Sequence, residues 1–302
     1  MLIAITGGTG FIGTKLLEHL AQRGDRVHLL TRNPQTVPSM PAVKEVFKWG
    51  GESVAAPREA FEGVDAVIHL AGKSIAGRFT EKHKEAVYNS RIEGTRRIVE
   101  AIAGCTRKPR VLVSSSGVNY YGDRGDAVLT VESEAGDSFI SRVCVDWERE
   151  ARKASEYGVQ VKCIRTGIVL GKGGGALQEM LTPFKAGVGG PFGNGRAWWS
   201  WIHLDDICRL YLHALEKHES TTYNGTAPNP VTNREFARTL GKVLHRPAIL
   251  PLPRSLLRLA LGEMADNLLL QSVRAVPANA QREGFSFKYP LLEEALRNVL
   301  HK

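Results

Sequence analysis

The sequence predicts an α/β protein built on a doubly wound parallel sheet, with a smaller and mainly helical C-terminal domain. Three observations support this fold class. Five apolar segments are typical of buried strands, helical patterns separate them, and the first strand leads directly into a cluster of glycines. Buried strands that alternate with helices form parallel sheets covered on both faces, because each right-handed crossover returns the chain over the sheet.

The elements follow one another in a regular order. The strands are predicted at residues 1–5, 27–31, 66–70, 110–114 and 161–166, and helices with an apolar stripe at 12–22, 81–104 and 141–157. These elements place a Rossmann-type domain in residues 1–170. A further strand at 223–227 would return to the sheet, so residues 204–227 are expected to complete this domain, which leaves 171–203 and 228–302 for the small one.

The first turn carries the sequence Thr6-Gly7-Gly8-Thr9-Gly10-Phe11-Ile12-Gly13 between a strand and a helix. Glycines at 7, 8 and 10 let the backbone turn tightly and approach a phosphate, while Gly13 lets the helix pack close to the strand. The helix then begins with free N–H groups, which favour an anion. The loop predicts a site for a dinucleotide pyrophosphate, with contacts expected from Thr6, Gly7, Gly10, Phe11 and Ile12.

The end of the second strand distinguishes the two nicotinamide cofactors. An acidic residue there would accept hydrogen bonds from a free ribose 2′-hydroxyl, whereas this chain has Thr31 followed by Arg32. A guanidinium pairs well with a 2′-phosphate. The sequence therefore predicts NADP(H) as the cofactor, with a merely solvated Arg32 as the alternative.

Two later strand ends are expected to line the same crevice. Leu70, Ala71 and Gly72 follow the third predicted strand, and small residues there let a cofactor lie against the backbone. The next strand ends in three serines, at 114–116, whose hydroxyls are expected to face the crevice. His69 is expected to pack within its strand. For Arg91 two roles stay open: contact with cofactor or substrate, and a brace for its own helix.

Several of these segments together resemble the extended short-chain dehydrogenases/reductases, and among them the nucleoside-diphosphate-sugar epimerases most. The resemblance rests on the glycine loop and on His69-Leu70-Ala71-Gly72, Ser114-Ser115-Ser116 and Trp201-Ile202-His203-Leu204-Asp205-Asp206. More narrowly, the chain is similar to an epimerase-like subfamily that is sometimes mislabelled as a cell-division inhibitor. The motifs of that subfamily lie at 90–95, 120–122, 147–148, 262–266 and 284–287. The resemblance covers nearly the whole chain and implies an NAD(P)-dependent oxidoreductase or epimerase.

The chain departs from the wider family at its acid–base pair. That family moves a proton with a tyrosine, and a lysine four residues later lowers the tyrosine pKa. Counted back from Trp147-Glu148, the two positions fall near Ile140 and Cys144, which cannot perform this chemistry. The nearest approximation is Tyr120 with Arg124, and arginine cannot be tuned as lysine can.

The remaining candidates for proton chemistry are three hydroxyl side chains. Ser114 and Ser116 would donate hydrogen bonds to a substrate oxygen, and Tyr121 would act as the acid or base. The alternative is that the tyrosines pack beside a turn. A second function class follows from that alternative, namely a non-catalytic protein that binds NADP(H) and reports its occupancy to a partner.

An aromatic segment beside the glycine-rich stretch at 187–195 indicates the substrate side. Trp198, Trp199 and Trp201 are expected to form a partly exposed wall of the kind that binds rings and sugars, although Trp201 is also suited to filling the domain junction. Arg196 could draw in an anionic substrate or be ordinary surface. Asp205 and Asp206 are expected to cap the following helix.

The composition of the chain limits the classes of molecule that it is expected to bind. The net charge is +9, yet basic and acidic residues are interspersed, so nucleic acid is not expected. The four cysteines have no metal-ligand spacing and are expected to be free, and no metal is expected. No apolar run reaches the roughly 20 residues that cross a bilayer, so we expect no membrane contact and a cytoplasmic location. A small substrate, sugar-like or anionic, is expected, and a homodimer is left open.

Overall fold

The computed structural model describes residues 1–217 and 221–301. The strands are β1 (Leu2–Thr6), β2 (Arg26–Thr31), β3 (Val43–Lys48), β4 (Ala66–His69), β5 (Val111–Gly117), β6 (Val128–Leu129), β7 (Gln160–Thr166), β8 (Ile168–Leu170), β9 (Trp198–Trp199), β10 (Trp201–His203), β11 (Thr222–Gly225), β12 (Val231–Thr232) and β13 (Arg274–Ala275). The helices are α1 (Phe11–Gln22), α2 (Glu81–Ala103), α3 (Phe139–Arg152), α4 (Gly175–Lys185), α5 (Leu204–Glu216), α6 (Asn233–Leu244), α7 (Arg254–Leu261), α8 (Ala278–Arg282) and α9 (Leu292–Leu300).

Seven of these strands form one sheet with all neighbours parallel, in the order β3-β2-β1-β4-β5-β7-β11. The predicted Rossmann-like α/β fold is confirmed. The order reverses between β1 and β4, and ligands of such sheets bind where the order reverses, at the carboxyl ends of the strands. Thr6 is in register with His69, and His69 with Ser114, so the ends of three strands meet there.

All five predicted strands are present, with ends that differ by a few residues. The strand expected at 223–227 is also present, as β11, and it pairs with β7 at one edge of the sheet. The sequence analysis missed β3, the strand at the other edge. Its side chains are only partly buried, so it lacks the apolar run that marked the central strands.

Apolar clusters cover both faces of the sheet, and a further cluster lies outside it. Among the residues of this further cluster are Leu177 and Phe184 of α4, Phe236 and Leu240 of α6, and Leu296 of α9. Three two-stranded pairs accompany these helices: β8 with β10, β9 with β12, and β6 with β13. The arrangement agrees with a mainly helical second unit, while its boundaries at 171–203 and 228–302 stay a prediction.

The helices begin where local capping dictates. Ser138 caps α3 by accepting a hydrogen bond from the Ser141 N–H, and Thr80 caps α2 through the His83 N–H. The helix predicted at 141–157 therefore starts earlier, and its last residues, Lys153–Tyr157, form a 3₁₀ turn. Within the described residues no helix is both long enough and apolar enough to span a membrane.

Candidate functional site

The glycine loop between β1 and α1 leaves no room for side chains at two positions. Gly7 has a φ of +72°, and a β-carbon there would lie 2.7 Å from the Ala71 nitrogen. A β-carbon on Gly13 would lie 2.7 Å from the carbonyl carbon of Gly8. Gly10 is the N-cap of α1 and has no side chain to satisfy the helix N–H groups. The loop thus keeps backbone donors open at a helix N-terminus, where an anion is favoured.

A buried hydrogen-bond chain fixes the ends of β1 and β4. The Ala71 N–H donates to Thr6 Oγ1 at 3.4 Å, and Thr6 Oγ1 lies 2.6 Å from His69 Nδ1. His69 Nε2 lies 3.0 Å from Thr95 Oγ1, whose hydroxyl donates to the Arg91 carbonyl. Burial, with a smaller effect of the Arg91 charge, lowers the pKa of His69 to about 3. A neutral His69 satisfies every link, with Nδ1 as acceptor and Nε2 as donor.

These hydrogen bonds confirm the prediction that His69 packs within its strand, while the cofactor contact expected of Thr6 stays a prediction for its backbone. His69 is fully buried within β4 and packs its ring edge-on against Trp147, with ring centroids 6.1 Å apart. Thr6 is also fully buried, and its hydroxyl is used by His69 and Ala71. The Thr6 side chain is therefore part of the support beneath the loop and not available to a bound dinucleotide.

Two basic side chains lie at the carboxyl ends of β2 and β3. Arg32 directly follows β2 and is exposed, and it forms no ion pair with any residue that the structure describes. Lys48 ends β3, is in register with Thr31 and is likewise exposed. The sequence analysis missed Lys48 because it missed β3. Paired strands thus bring a second cation to the edge of the sheet where Arg32 was expected to act.

Arg91 lies beside the turn that follows β4. Its Nη1 donates to the carbonyls of Lys73 at 2.9 Å and Val87 at 3.1 Å, and its guanidinium carbon lies 5.0 Å from the centre of the Trp147 ring. A β-carbon on Gly72 would lie 3.3 Å from that guanidinium carbon. Burial lowers the pKa of Arg91, and no carboxylate pairs with it in the described part of the chain. The brace expected for Arg91 is present, and its Nε and Nη2 donors are not used by these contacts.

The three hydroxyls named as candidates for proton chemistry, those of Ser114, Ser116 and Tyr121, hydrogen-bond within the protein. Ser114 is fully buried and donates to the Ser115 carbonyl at 3.3 Å. Ser116 donates to Glu148 Oε1 at 2.8 Å. Tyr121 is fully buried, donates to Asn224 Oδ1 at 2.6 Å, and burial raises its pKa. Each of these hydroxyls thus already has an internal acceptor, and their expected roles in proton chemistry stay predictions.

A buried ion pair organises this region. Arg165 of β7 donates from Nε to Glu148 Oε1 at 2.8 Å and from Nη2 to Glu148 Oε2 at 3.0 Å. Its Nη1 also donates to the Tyr121 hydroxyl at 3.0 Å. Burial opposes ionisation of Glu148, but the Arg165 guanidinium outweighs it and holds the pKa of Glu148 below its usual range. The sequence analysis names Glu148 only within the motif at 147–148 and does not pair it with Arg165, because the two residues lie on different elements and only the fold brings them together.

The positions of the missing acid–base pair are filled with apolar side chains. Ile140 and Cys144 lie on one face of α3 and belong to a buried cluster with Phe79, Val87 and Met264. Burial raises the pKa of Cys144 to about 11. An aliphatic side chain cannot exchange a proton, and a thiol that stays protonated cannot act as a general base near neutral pH.

The tryptophans do not form the expected exposed wall. Trp199 and Trp201 are buried, and their indoles donate to the carbonyls of Leu269 at 3.3 Å and Asn229 at 3.0 Å. Trp198 is partly exposed, although it donates to Asp126 Oδ1 at 2.8 Å and lies under Arg274. The junction-filling alternative for Trp201 is the one that the structure supports. Arg196 is exposed.

Asp205 and Asp206 lie in the first turn of α5, and neither is its cap. His203 caps the helix through Nδ1, which accepts from the Asp205 N–H at 3.0 Å. Asp206 is fully buried and accepts hydrogen bonds from the backbone of Lys288 and Tyr289 at 2.8 and 2.9 Å. Asp205 binds His19 Nε2 at 3.3 Å and so links α5 to α1. These contacts make both carboxylates structural.

A cavity of about 560 Å³ adjoins the glycine loop. Its walls come from the start of α1, the turn at 171–173, the start of α5 and the end of α9. The cavity includes Gly10 and Phe11 but neither Arg32 nor Arg91. The described residues contain no cluster of three or more side chains suited to a metal ion. All four cysteines are free, as the sequence predicts, and all four are buried.

The chain is similar to known proteins over nearly its whole length. The model of the NAD dependent epimerase/dehydratase family matches residues 3–225, and that of a domain of unknown function (DUF1731) matches residues 252–299. Epimerase family protein YfhF of Bacillus subtilis is 39% identical over 302 residues, which is 99% of this chain and 98% of that protein. Human epimerase family protein SDR39U1 is 36% identical over 305 residues, 99% of this chain and all of that protein.

Solved structures extend the likeness to the fold. Human SDR39U1 (isoform 2), crystallised with NADPH, has a TM-score of 0.88 at 33% identity, with both chains fully covered. A nucleoside-diphosphate sugar epimerase of Corynebacterium glutamicum has a TM-score of 0.78 at 33% identity, over 99% of this chain and 58% of that one. The sheet, the glycine loop and these matches lead to one conclusion: the chain belongs to the NAD dependent epimerase/dehydratase family.

Proposed function

We propose that the protein binds NADP(H) along the carboxyl edge of the sheet. Backbone N–H groups of the loop from Gly7 to Ile12 would hold the pyrophosphate, except that of Gly10, which donates to the Gly7 carbonyl at 3.0 Å. Arg32 with Lys48 would hold the 2′-phosphate. The observation that carries the proposal is the pair of exposed cations on adjacent strand ends. The NADPH in the crystal of human SDR39U1 supports it.

The backbone around the loop fits a dinucleotide. Gly7 and Gly13 let the loop pack closely against the Ala71 and Gly8 backbones, and Ala71 and Gly72 present a surface without large side chains beside the loop. Arg91 has unused donors next to Gly72, so we assign it to a phosphate or carboxylate of a ligand in addition to its brace. The Leu70 N–H is already bonded to the Thr6 carbonyl, so Leu70 contributes its side chain and not a donor.

We further propose that the reaction is an oxidoreduction and not an epimerisation through a tyrosine–lysine pair. Bound NADP(H) would supply or accept a hydride. Ile140 and Cys144 would exclude water from the site, because both are buried among apolar side chains. Arg91 would orient a small, sugar-like or anionic substrate, since it carries a charge that no carboxylate of the described chain neutralises.

The second candidate is a non-catalytic protein that responds to NADP(H). The observation that favours it is Met264, which packs over Ile140 and Cys144 and accepts a contact from the Gly77 N–H to Sδ at 3.1 Å. The segment from α7 onwards thus covers the positions where the family does its chemistry. A change of cofactor occupancy at β4 could then be transmitted to the surface of that segment.

The first experiment titrates the purified protein with NADPH and with NADH and follows nicotinamide fluorescence. Arg32→Ala and Lys48→Ala are each expected to weaken NADPH binding roughly ten- to a hundred-fold, because each removes a charge-assisted contact, and to leave NADH binding nearly unchanged. Lys44→Ala is the matched control, an exposed lysine earlier on β3. Equal affinity of the native protein for both cofactors would refute the assignment of these two cations.

The second experiment separates enzyme from regulator. NADPH consumption is measured with panels of small aldehydes, ketones and nucleotide sugars, in the native protein and in Arg91→Gln. Turnover that Arg91→Gln reduces, without a matching loss of NADPH affinity, would support the oxidoreductase. Tight NADPH binding with no turnover, together with a cofactor-dependent change in proteolysis of residues 254–270, would favour the regulator.

A further inference from the structure

An exposed groove along α6 collects four cations. Arg234, Arg238 and Lys242 follow one another at intervals of four residues and therefore lie on one face of the helix, and Arg246 comes just after the helix end. The groove has a volume of about 500 Å³ and is completed by Pro191, Ala248, Ile249 and Pro251. We call this the basic groove. None of its residues lies on the seven-stranded sheet.

A tight turn at the end of α6 brings the following segment back alongside the helix. His245 ends the helix in the left-handed conformation with a φ of 54°, and the Arg246 N–H donates to the Gly241 carbonyl at 2.9 Å. A β-carbon on Gly241 would lie 2.6 Å from Ala248 Cβ, so only glycine allows this close return. The Leu252 N–H donates to the Pro191 carbonyl at 2.9 Å, and this bond joins the segment after α6 to the opposite side of the groove. The groove is thus a defined concavity.

The charge of the basic groove is poorly compensated. No acidic side chain lines it, and Glu293, which binds Lys242 at 2.7 Å, is the one carboxylate paired with these cations in the described part of the chain. Arg234 and Arg246 donate to the carbonyls of Asn194 at 2.7 Å and Lys185 at 3.1 Å, which hold them in place without neutralising them. Arg238 makes no ion pair with any described residue. Like charges four residues apart destabilise a helix, so this arrangement is costly unless an anion occupies it.

The groove suits a phosphate-bearing ligand. Three of the four cations are arginines, whose planar guanidinium groups match phosphate oxygens in pairs. The groove is concave, and its volume lies in the range of sites that bind small molecules. On the rim, Ile249 is 78% exposed and Leu250 is 50% exposed, so apolar contact is available beside the charges. We propose that the basic groove binds a ligand that carries phosphate groups with at least two negative charges, as a second anion site separate from the cofactor loop.

Inorganic tripolyphosphate, titrated calorimetrically into the NADPH-saturated protein, tests the proposal. We expect saturable binding that Arg238→Gln weakens at least ten-fold, because the variant removes a charge without breaking an internal contact. Arg282→Gln, which changes an exposed arginine on α8, is the matched control and should leave the binding unchanged. Identical binding in the native protein and in Arg238→Gln would overturn the proposal.

Vesicles distinguish the two sources of phosphate. Cosedimentation with phosphatidylcholine vesicles that contain phosphatidylglycerol, lost in Arg238→Gln and reduced in Ile249→Ser, would assign the groove to lipid headgroups. Tripolyphosphate binding without cosedimentation would assign it to a soluble phosphate compound. Tighter binding of polyglutamate than of tripolyphosphate would overturn the phosphate assignment in favour of an acidic peptide. NADPH affinity is measured on the same variants. A failure of the cofactor proposal would appear in that measurement and not in the binding of tripolyphosphate to the groove.

Discussion

Glu148 and Arg165 form a two-point ion pair beneath the carboxyl edge of the sheet. The pair joins α3 to β7, and Ser116 and Tyr121 hydrogen-bond to its two ends. Side chains that sequence patterns assign to catalysis are thereby used to hold two elements together. A charged pair out of water contributes little on balance when intact, but removal of one partner leaves the other buried and unpaired.

Glu148→Gln is therefore expected to lower the free energy of unfolding by about 3 kcal/mol or more, measured by urea denaturation. The control is Glu100→Gln on α2, whose surface pair with Arg97 should contribute less than about 1 kcal/mol. Because the folded-state pKa of Glu148 is lowered, its ionised form stabilises the protein above the unfolded pKa of about 4.3. The difference between native protein and variant should shrink as the pH falls below that value; a constant difference would contradict the prediction.

His69 should make the fold sensitive to acid. Its pKa is about 3 in the folded protein, against about 6.5 when unfolded, so the folded state favours the neutral ring. Its contribution is complete above about pH 6.5 and is lost progressively as the pH falls toward 3. Between pH 6.5 and 4, we expect the stability of His69→Gln to fall less than that of the native protein. A His69 ring signal that titrates near pH 6.5 by NMR would refute this.

Two glycines on helices should respond oppositely to alanine. In Gly13→Ala the new β-carbon would meet the backbone of Gly8, so we expect a loss of about 1–3 kcal/mol in stability and no measurable NADPH binding. In Gly94→Ala on α2 the nearest atom, on Trp49, is 4.0 Å away, so the helix should gain about 0.5–1 kcal/mol. Urea denaturation and NADPH titration of both variants check this. Normal NADPH binding by Gly13→Ala would contradict the loop assignment.

The cysteines should be unreactive in the native protein. Burial raises the pKa of Cys144 to about 11 and that of Cys163 to about 12, and it also raises those of Cys105 and Cys208. Since the thiolate is the reactive form, we expect no rapid reaction with Ellman's reagent at pH 8 and four equivalents in denaturant. Fast reaction of one native thiol would show that its surroundings open in solution.

The sequence predicts the central strands well because each is an apolar run bounded by turn residues. It fails for β3, since an edge strand with half-exposed side chains has no such run, and Lys48 is lost with it. The direction of the Ser116 hydroxyl could not be predicted either, because its acceptor, Glu148, lies on α3 and depends on how β5 packs against that helix. The glycine loop can be predicted from the sequence, because the backbone conformation there depends on the glycines themselves and not on distant elements. The proposed cofactor contacts and the domain limits stay predictions.

The position of β11 has a consequence for synthesis of the chain. β7 ends at Thr166, but its outer neighbour is completed only at Gly225. While the ribosome makes the residues between them, β7 is an open edge of a nearly finished sheet, and such edges attract other strands. We expect nascent chains that stop before residue 222 to be held by chaperones or to aggregate, and the seventh strand to act as the closing step of folding.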